Sequence, residues 1–227
     1  MKVVEANVYL VDTGSFRLVI NELVTDEGLT GIGEAAVGFG TGCHGAAAMI
    51  AELAEGFVVG KDPMNISDIW NDFYYHTFWG KGAGAIFYAA VSALEQALWD
   101  IKGKALGVPV YELLGGKQRD ELHVYANGWS EGKCDCAEDF AERALKVLDD
   151  GYDALKMYPL SQRDPVRGLN LHLKNRVVTR EQYRVCVDAV RLVRQAVGDD
   201  IEVLVDVTAE GTTDVMTRIG QEIAQYD

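Results

Sequence analysis

The amino-acid sequence predicts an α+β region over residues 1–119, followed by an incomplete parallel α/β region over residues 120–227. Three observations predict this division. Apolar and polar residues alternate through the first 35 positions with the period of two that a half-buried strand has. Two later segments carry apolar residues at helical spacing. Strand and helix patterns then alternate three times, which is typical of a parallel sheet with right-handed crossovers.

The first region is predicted to open with an antiparallel meander and to continue with helices. Turn signals at residues 12–15 and 26–28 separate the strands. The strands are expected at residues 4–10, 16–25 and 29–34. A glycine-containing run at residues 38–45 is interpreted as a flexible loop, and helices are expected at residues 67–78 and 84–105. Gly115 and Gly116, followed by charged residues, mark the expected domain boundary.

The second region is predicted to contain three βα units, with strands at residues 122–126, 154–158 and 201–207. Asp135 with Glu138 is the expected capping pair of the first helix. Thr179 with Gln182 is the expected pair of the second, and Thr212 or Thr213 opens the third. A closed (β/α) barrel needs about eight such units, so we expect the chain to be truncated or incomplete.

Composition excludes several classes of protein. The 227 residues are 48% apolar and 25% charged, with a formal net charge of −14. The apolar content excludes disorder. Because phosphates and anionic lipids are bound through Lys and Arg, the acidic balance argues against a nucleic-acid or membrane partner. With neither an export signal nor an apolar run long enough to cross a bilayer, we expect a cytoplasmic protein.

Two ionisable residues occupy the carboxyl ends of neighbouring predicted strands, where function gathers in parallel α/β sheets. Lys156 lies near the end of the second strand and Asp206 near the end of the third. We expect the ammonium and the carboxylate to lie close together. A simple ion pair is one interpretation and a functional site is the other. Asp206 lies among apolar residues, so its charge requires a partner, a proton or a metal.

The segment after the second strand, residues 159–178, has no clear period and forms a basic island in an acidic chain. Its cationic side chains are those of Arg163, Arg167, His172, Lys174 and Arg176. Long loops in compact domains are more often functional than accidental. We predict recognition of an anionic substrate or a cover over the site, and a contact between copies of the chain is the alternative.

Three stretches resemble the mandelate racemase/muconate lactonizing subgroup of the enolase superfamily. They are VTDEGLTGIGEA at 24–35, VYANGW at 124–129, and residues 78–117, which contain ALWDIKGKALGVPVYELLGG. The last segment is the most specific, and it identifies the subgroup rather than the reaction. The resemblance implies an α+β capping domain over residues 1–119. It also implies the first part of a (β/α) TIM-type barrel, three βα units over residues 120–227.

The resemblance further implies removal of the proton next to a substrate carboxylate, with Mg²⁺ stabilising the enediolate. Members of the subgroup hold the metal through acidic residues at the ends of successive barrel strands. Asp206 matches the first of these, and the others are expected on later strands that this chain does not contain. Racemases commonly carry Lys-x-Lys at the second strand, where this chain has Lys156-Met157-Tyr158. Some dehydratases place a His where this chain has Thr208.

We therefore expect a Mg²⁺-dependent acid-sugar dehydratase that acts on a small-molecule carboxylate. Lys156 and Tyr158 are the predicted catalytic residues, Asp206 is the predicted metal ligand, and the predicted substrate-binding residues are Thr208, Arg163 and Arg167. A racemase or cycloisomerase is the enzymatic alternative. A catalytically inactive half-barrel that serves as a binding or structural module is the alternative from another class. Unpaired strand edges additionally predict a homo-oligomer.

Overall fold

The structure of the chain is a computed structural model. It describes residues 1–14, 16–38, 41–131, 133–160, 162–163, 170–171, 177–208 and 210–226, with the backbone alone for 162–163 and 170–171. The chain divides into two compact units, Met1–Asp120 and Glu121–Asp227. Each unit has its own hydrophobic core.

The first unit opens with an antiparallel meander of β1 (Val3–Asp12), β2 (Arg17–Thr25) and β3 (Thr30–Ala35) in the order β1-β2-β3. The period of two that predicts these strands also determines which side chains enter the core. On β2, Val19 and Leu23 are fully buried, whereas Ile20 and Glu22 on the opposite face are only partly covered.

Four helices complete the first unit. They are α1 (Cys43–Phe57), α2 (Ile66–His76), α3 (Ala85–Leu106) and α4 (Val110–Leu113). The core side chains of α1 and α3 recur at helical spacing; Ile50 and Leu94 are fully buried and Leu98 is 1% exposed. Helix α1 corrects the sequence interpretation, because Cys43 and His44 begin a helix instead of belonging to a loop through residue 45.

Helix α3 lies directly against β3. A Cβ atom at Gly33 would overlap the carbonyl oxygen of Ala93, and one at Gly31 would overlap that of Ala97. The same helix also closes the outer edge of the strand. Its side chains accept hydrogen bonds from backbone N–H groups of β3: Ile32 to Asp100 Oδ2 at 3.0 Å and Glu34 to Gln96 Oε1 at 3.0 Å. An edge that is occupied in this way cannot pair with another strand.

In the second unit, a short parallel pair replaces the meander. Strand β4 (Ala154–Met157) pairs with β7 (Glu202–Val205), and Lys156 stands opposite Leu204. The predicted strand at 122–126 forms only an isolated parallel bridge, between Ala126 and Leu155. Its two backbone hydrogen bonds, from Ala126 to Ala154 and from Lys156 to Ala126, are both 2.9 Å. Within the predicted loop, β5 (Gln162–Arg163) and β6 (Asn170–Leu171) form an antiparallel pair.

Helices α5 (Ala137–Asp149), α6 (Arg180–Val197) and α7 (Thr213–Ile223) follow the strand segments. Thr179 and Gln182 form the predicted capping box of α6, which satisfies backbone N–H groups at its first turn. The box of α5 is formed by Cys136 and Asp139, one residue later than the predicted Asp135 and Glu138. Across the residues that the structure describes, no helix is long and apolar enough to span a membrane.

Candidate active site

The β4–β7 pair has two chemically different faces. Leu155 and Met157 are fully buried, and together with Val203 and Val205 they pack in the core that contains Ala189 and Val190 of α6. Because side chains alternate along a strand, the residues between them point to the opposite face. On that face stand the side chains of Lys156, Tyr158, Leu204 and Asp206. The helix-facing side therefore builds the core, and the other side carries the ionisable groups.

Asp206 lies directly after β7, at the carboxyl end of the parallel pair. Its backbone N–H donates to the carbonyl of Met157 at 3.0 Å, which continues the ladder by one residue. Its side chain is 36% exposed, so it is accessible at the strand ends. Oδ1 accepts hydrogen bonds from the backbone N–H of Thr208 at 2.8 Å and from Thr208 Oγ1 at 3.2 Å.

These contacts determine the charge state of Asp206. Partial burial pushes the pKa of the carboxyl group upward, but the hydrogen bonds from Thr208 and the neighbouring Lys156 outweigh it, so the pKa lies below its usual value. Asp206 is therefore an anion at neutral pH. Thr208 itself has a φ of 46°, which is a rare conformation for a β-branched residue and stores backbone strain beside this carboxylate.

Lys156 brings a cation to the same face. Its Nζ lies 3.6 Å from Asp206 Oδ2. The two side chains are therefore close together, as expected from their positions at the ends of neighbouring strands. The side chain of Lys156 is only 17% exposed. Hydrogen bonding to Tyr158 is the main cause that raises the pKa of Lys156 above its usual value, with Tyr125 and Asp206 adding to it against an opposing effect of burial. Lys156 is an ammonium at neutral pH.

Tyr158 follows β4 immediately and lies beside the ammonium, with its ring centroid 4.9 Å from Lys156 Nζ. Its backbone N–H donates to Ser130 Oγ at 3.3 Å. Ser130 is 2% exposed and had no role in the sequence prediction. A buried serine that follows the bridged segment thus holds the backbone of Tyr158 in place.

The structure brings four of the six predicted site residues together: Lys156, Tyr158, Asp206 and Thr208. For Arg163, the structure describes the backbone of β5 and not the side chain. Arg167 lies outside the described residues. The proposed contribution of the basic loop to this site therefore stays a prediction.

Two further residues at the strand ends are absent from the sequence prediction. Tyr125 precedes the bridged Ala126, and its ring centroid lies 5.4 Å from Lys156 Nζ. Glu210, four positions after Asp206, is 5% exposed. Acidic residues are rarely buried, so the burial of Glu210 in a loop at the strand ends makes it a further candidate for the site. From sequence alone, the only signal was a Glu in a short loop.

The oxygen atoms of Asp206 are the described donors at this site that could hold a divalent metal. Carboxylate oxygens are the ligands that Mg²⁺ prefers, and the ion is commonly held by only one or two protein carboxylates, with waters and substrate oxygens completing the shell. Among the described residues, Asp206 Oδ2 accepts no hydrogen bond, and its contact with Lys156 is 3.6 Å long. This oxygen can therefore serve as a metal ligand. Within the described ranges, no group of three acidic, His or Cys side chains converges on one point. Asp206 thus fits as one ligand of a shell.

A separate cavity of about 490 Å³ opens between α6 and α7. Its lining includes Arg180, Arg184 and Arg218, and Tyr183 donates to Glu222 at 2.5 Å on its wall. Of the predicted site residues whose side chains the structure describes, which are Lys156, Tyr158, Asp206 and Thr208, none lines this cavity. The candidate active site is therefore defined by the strand ends and not by this cavity.

The geometry is that of a site at the carboxyl ends of parallel strands in an α/β protein. Comparison with known proteins defines the family. Residues 7–115 match the family model of the mandelate racemase/muconate lactonizing enzyme N-terminal domain. Residues 7–115 therefore form the N-terminal domain of this enolase-superfamily family. The predicted fold class, an α+β capping domain followed by the first part of a (β/α) TIM-type barrel, is confirmed.

Relatives of the chain include proteins named as sugar-acid dehydratases. The chain is 36% identical over 177 residues to a D-gluconate dehydratase of Thermoproteus tenax, a match that covers 78% of this chain and 33% of the relative. It is 39% identical over 160 residues to a D-galactonate dehydratase of Variovorax paradoxus, covering 69% and 38%. A proposed dehydratase from Mesorhizobium loti, of known structure, superposes with a TM-score of 0.94 at 45% identity, covering 100% of this chain and 59% of the other.

The chain spans less than two thirds of the length of each of these relatives, between 33% and 59%. They support sugar-acid dehydration at the level of the family.

Proposed function

We propose that this chain contributes part of the active site of a Mg²⁺-dependent sugar-acid dehydratase. The observation that carries the proposal is the position of Asp206: an ionised carboxylate at the carboxyl end of β7, with Oδ1 held by Thr208 and Oδ2 facing Lys156. The relatives named as D-gluconate and D-galactonate dehydratases give the substrate class.

The proposed reaction is the loss of water from an aldonic acid. A base takes the proton from the carbon next to the carboxylate, and the hydroxyl group on the following carbon leaves with a proton as water. The enol that results becomes a keto acid. Bound Mg²⁺ would stabilise the negative charge that develops on the carboxylate oxygens during proton removal.

The residues of this chain have distinct roles in the proposal. Asp206 would hold the metal, and the Thr208 hydrogen bonds keep Oδ1 oriented so that Oδ2 faces the site. Lys156 is a fixed cation that would bind the substrate carboxylate, which needs a compensating charge where water is excluded. Tyr158 would line the pocket. Among the described residues, its phenol is the candidate group for proton transfer. Arg163 and Arg167 are proposed to bind the anionic substrate from the basic loop.

A Mg²⁺ titration of the chain, followed by calorimetry, tests the metal site. We expect binding in the range of about 1 mM, because one carboxylate with waters makes a weak site. Asp206→Asn should abolish it. Asp188→Asn is the matched control, since Asp188 is a half-buried carboxylate on α6 that pairs with Arg191 at 2.8 Å. Equal binding by the wild type and Asp206→Asn, or no binding at all, would overturn the proposal.

Incubation with Mg²⁺ and D-gluconate or D-galactonate in D₂O separates the alternatives. Formation of a keto acid with loss of water supports the dehydratase. Deuterium exchange next to the carboxylate without loss of water favours the racemase or cycloisomerase. The sequence argues against that alternative, because Tyr158 occupies the position of the second Lys in Lys-x-Lys. Metal binding with neither result favours the inactive binding module. Association of copies of the chain stays a prediction, and light scattering tests it.

A further inference from the structure

Lys156 differs from the other lysines that form ion pairs. In the described part of the chain, four Lys–carboxylate pairs have N···O distances between 2.5 and 2.9 Å; they are Lys61–Asp72, Lys104–Asp100, Lys117–Asp120 and Lys146–Glu142. The Lys156–Asp206 distance is 3.6 Å, which is too long for a hydrogen bond. Lys156 is also the more buried residue of its pair with Asp206, so competition from water for the ammonium does not explain the greater separation.

Two aromatic rings flank this ammonium. Its Nζ lies 5.4 Å from the centroid of Tyr125 and 4.9 Å from that of Tyr158, both within the range of cation–π attraction. An ammonium held over ring faces is drawn away from a third partner. The contacts with these two rings, together with the hydrogen bonding to Tyr158 described above, thus account for the distance that separates Lys156 from Asp206.

The backbone puts Tyr125 in this position. Ala126 bridges Leu155 in parallel register, and both of these side chains pack in the helix-facing core. Since side chains alternate along an extended segment, Tyr125 points to the opposite face, as Lys156 does. The two hydrogen bonds of 2.9 Å between Ala126 and its neighbours on β4 fix this register.

We propose that Tyr125 is a positioning residue of the site: with Tyr158, its ring holds the Lys156 ammonium away from Asp206, so that Oδ2 stays available to a divalent cation. Without the Tyr125 ring, Lys156 would close onto Oδ2 as the other lysines do on their carboxylates, and would compete with the metal. This inference rests on the proposed function, because it takes Asp206 as the metal ligand. It assigns a role to Tyr125, which the proposed function does not use.

The first test is a proton NMR measurement on the metal-free chain. Protons above an aromatic ring are shifted upfield, so the ε-CH₂ protons of Lys156 should lie upfield of those of the other lysines. Tyr125→Leu should move them downfield towards the ordinary lysine position, and Tyr125→Phe should retain the shift because it keeps the ring. An unchanged Lys156 signal in Tyr125→Leu would overturn the inference.

The second test is the Mg²⁺ affinity of the same variants. Tyr125→Leu should bind Mg²⁺ roughly two- to fivefold more weakly than the wild type, the factor that corresponds to one exposed cation–π contact. Tyr125→Phe should match the wild type. Tyr152→Leu, which removes an exposed tyrosine of the same unit that is 40% exposed, controls for general loss of aromatic surface. Far-UV circular dichroism verifies that each variant is folded.

The two proposals fail in different ways. If the wild type binds no Mg²⁺, the metal role of Asp206 is wrong, and the NMR comparison alone decides whether Tyr125 holds Lys156. If the wild type binds Mg²⁺ and Tyr125→Leu binds it equally well, the positioning role of Tyr125 is wrong while the proposed function stands.

Discussion

The sheets of the two units use their strands differently. In the meander, α3 covers one face at backbone distance, and its side chains occupy the N–H groups along the edge of β3. On the outer face, Glu22 accepts hydrogen bonds from Tyr9 at 2.9 Å and from Asn7 at 3.3 Å, so that polar groups satisfy one another across the strands. This unit therefore uses both faces and an edge for its own stability.

The parallel pair of the second unit leaves one face unfinished. Its helix-facing side is a closed core, but the opposite side carries Lys156 and Asp206 at a separation longer than a hydrogen bond. Of the described residues, β7 pairs only with β4. Alternation along a strand can thus separate folding from chemistry: the odd-numbered positions of β4 and β7 build the core, and the even-numbered ones stay available for a ligand.

Truncation of one leucine in each sheet tests this comparison most strongly. Leu23 on β2 is fully buried, whereas Leu204 on β7 is 37% exposed. Leu23→Ala should lower the free energy of unfolding by about 2–5 kcal/mol, because it leaves a cavity in a packed core. Leu204→Ala should lower it by about 1 kcal/mol or less, because the side chain is partly solvated already. Urea unfolding followed by far-UV circular dichroism measures both.

A large loss of unfolding free energy in Leu204→Ala would contradict this difference between the two sheets. It would mean that the face of β7 that carries Asp206 is covered in solution and contributes to stability as the core of the first unit does. Repeating the measurement at several protein concentrations distinguishes a cover supplied by another copy, since the stability of an associated chain rises with concentration.

Two helices of the second unit differ in how a threonine caps them, and we expect a smaller effect on stability there. Thr179 accepts a hydrogen bond from Gln182 N–H at 3.1 Å, and Gln182 Oε1 accepts one from Thr179 N–H at 2.9 Å. Thr179→Ala should therefore cost about 1 kcal/mol of unfolding free energy. Thr212 occupies the same position on α7 without a side-chain cap bond. Thr212→Ala is the matched control and should change stability by about 0.5 kcal/mol or less.

Equal losses at Thr179 and Thr212 would contradict this assignment. The effect would then come from a general preference for Thr before a helix and not from the reciprocal hydrogen bonds of the α6 capping box. Thermal unfolding followed at 222 nm gives the two values under one condition.

Much of the fold was predictable because local patterns determine it. The meander, α3 and the capping box of α6 follow from period and cap residues within a few positions of one another. Helix α1 was missed because glycines precede it, although Ala46, Ile50 and Leu53 have helical spacing. The strand predicted at 122–126 reduces to one bridge, since its extent depends on partners that a local pattern does not contain.

The site was predictable only as far as strand position determines it. Lys156 and Asp206 were placed together from one argument, that the ends of neighbouring parallel strands meet. Tyr125 was missed because its contact with Lys156 depends on the register of a bridge that no sequence motif specifies. Ser130 was missed for a similar reason, because its role is a hydrogen bond to a residue 28 positions away.

The smallest expected effect concerns the segment that carries Tyr125. His123 Nε2 lies 2.7 Å from Asp153 Oδ1, and hydrogen bonding to this carboxylate raises the pKa of His123 above 6.5. While Asp153 is ionised, the pair should therefore contribute fully to stability below about pH 6.5, and it should lose its contribution as the pH rises through the raised pKa of His123. An NMR titration of the His123 ring should give a midpoint above 6.5 that falls in Asp153→Asn. Asp150→Asn, which changes an exposed carboxylate three positions before Asp153 in the chain, should leave the midpoint unchanged. An identical His123 midpoint in the wild type and Asp153→Asn would mean that this contact does not tie the segment to β4.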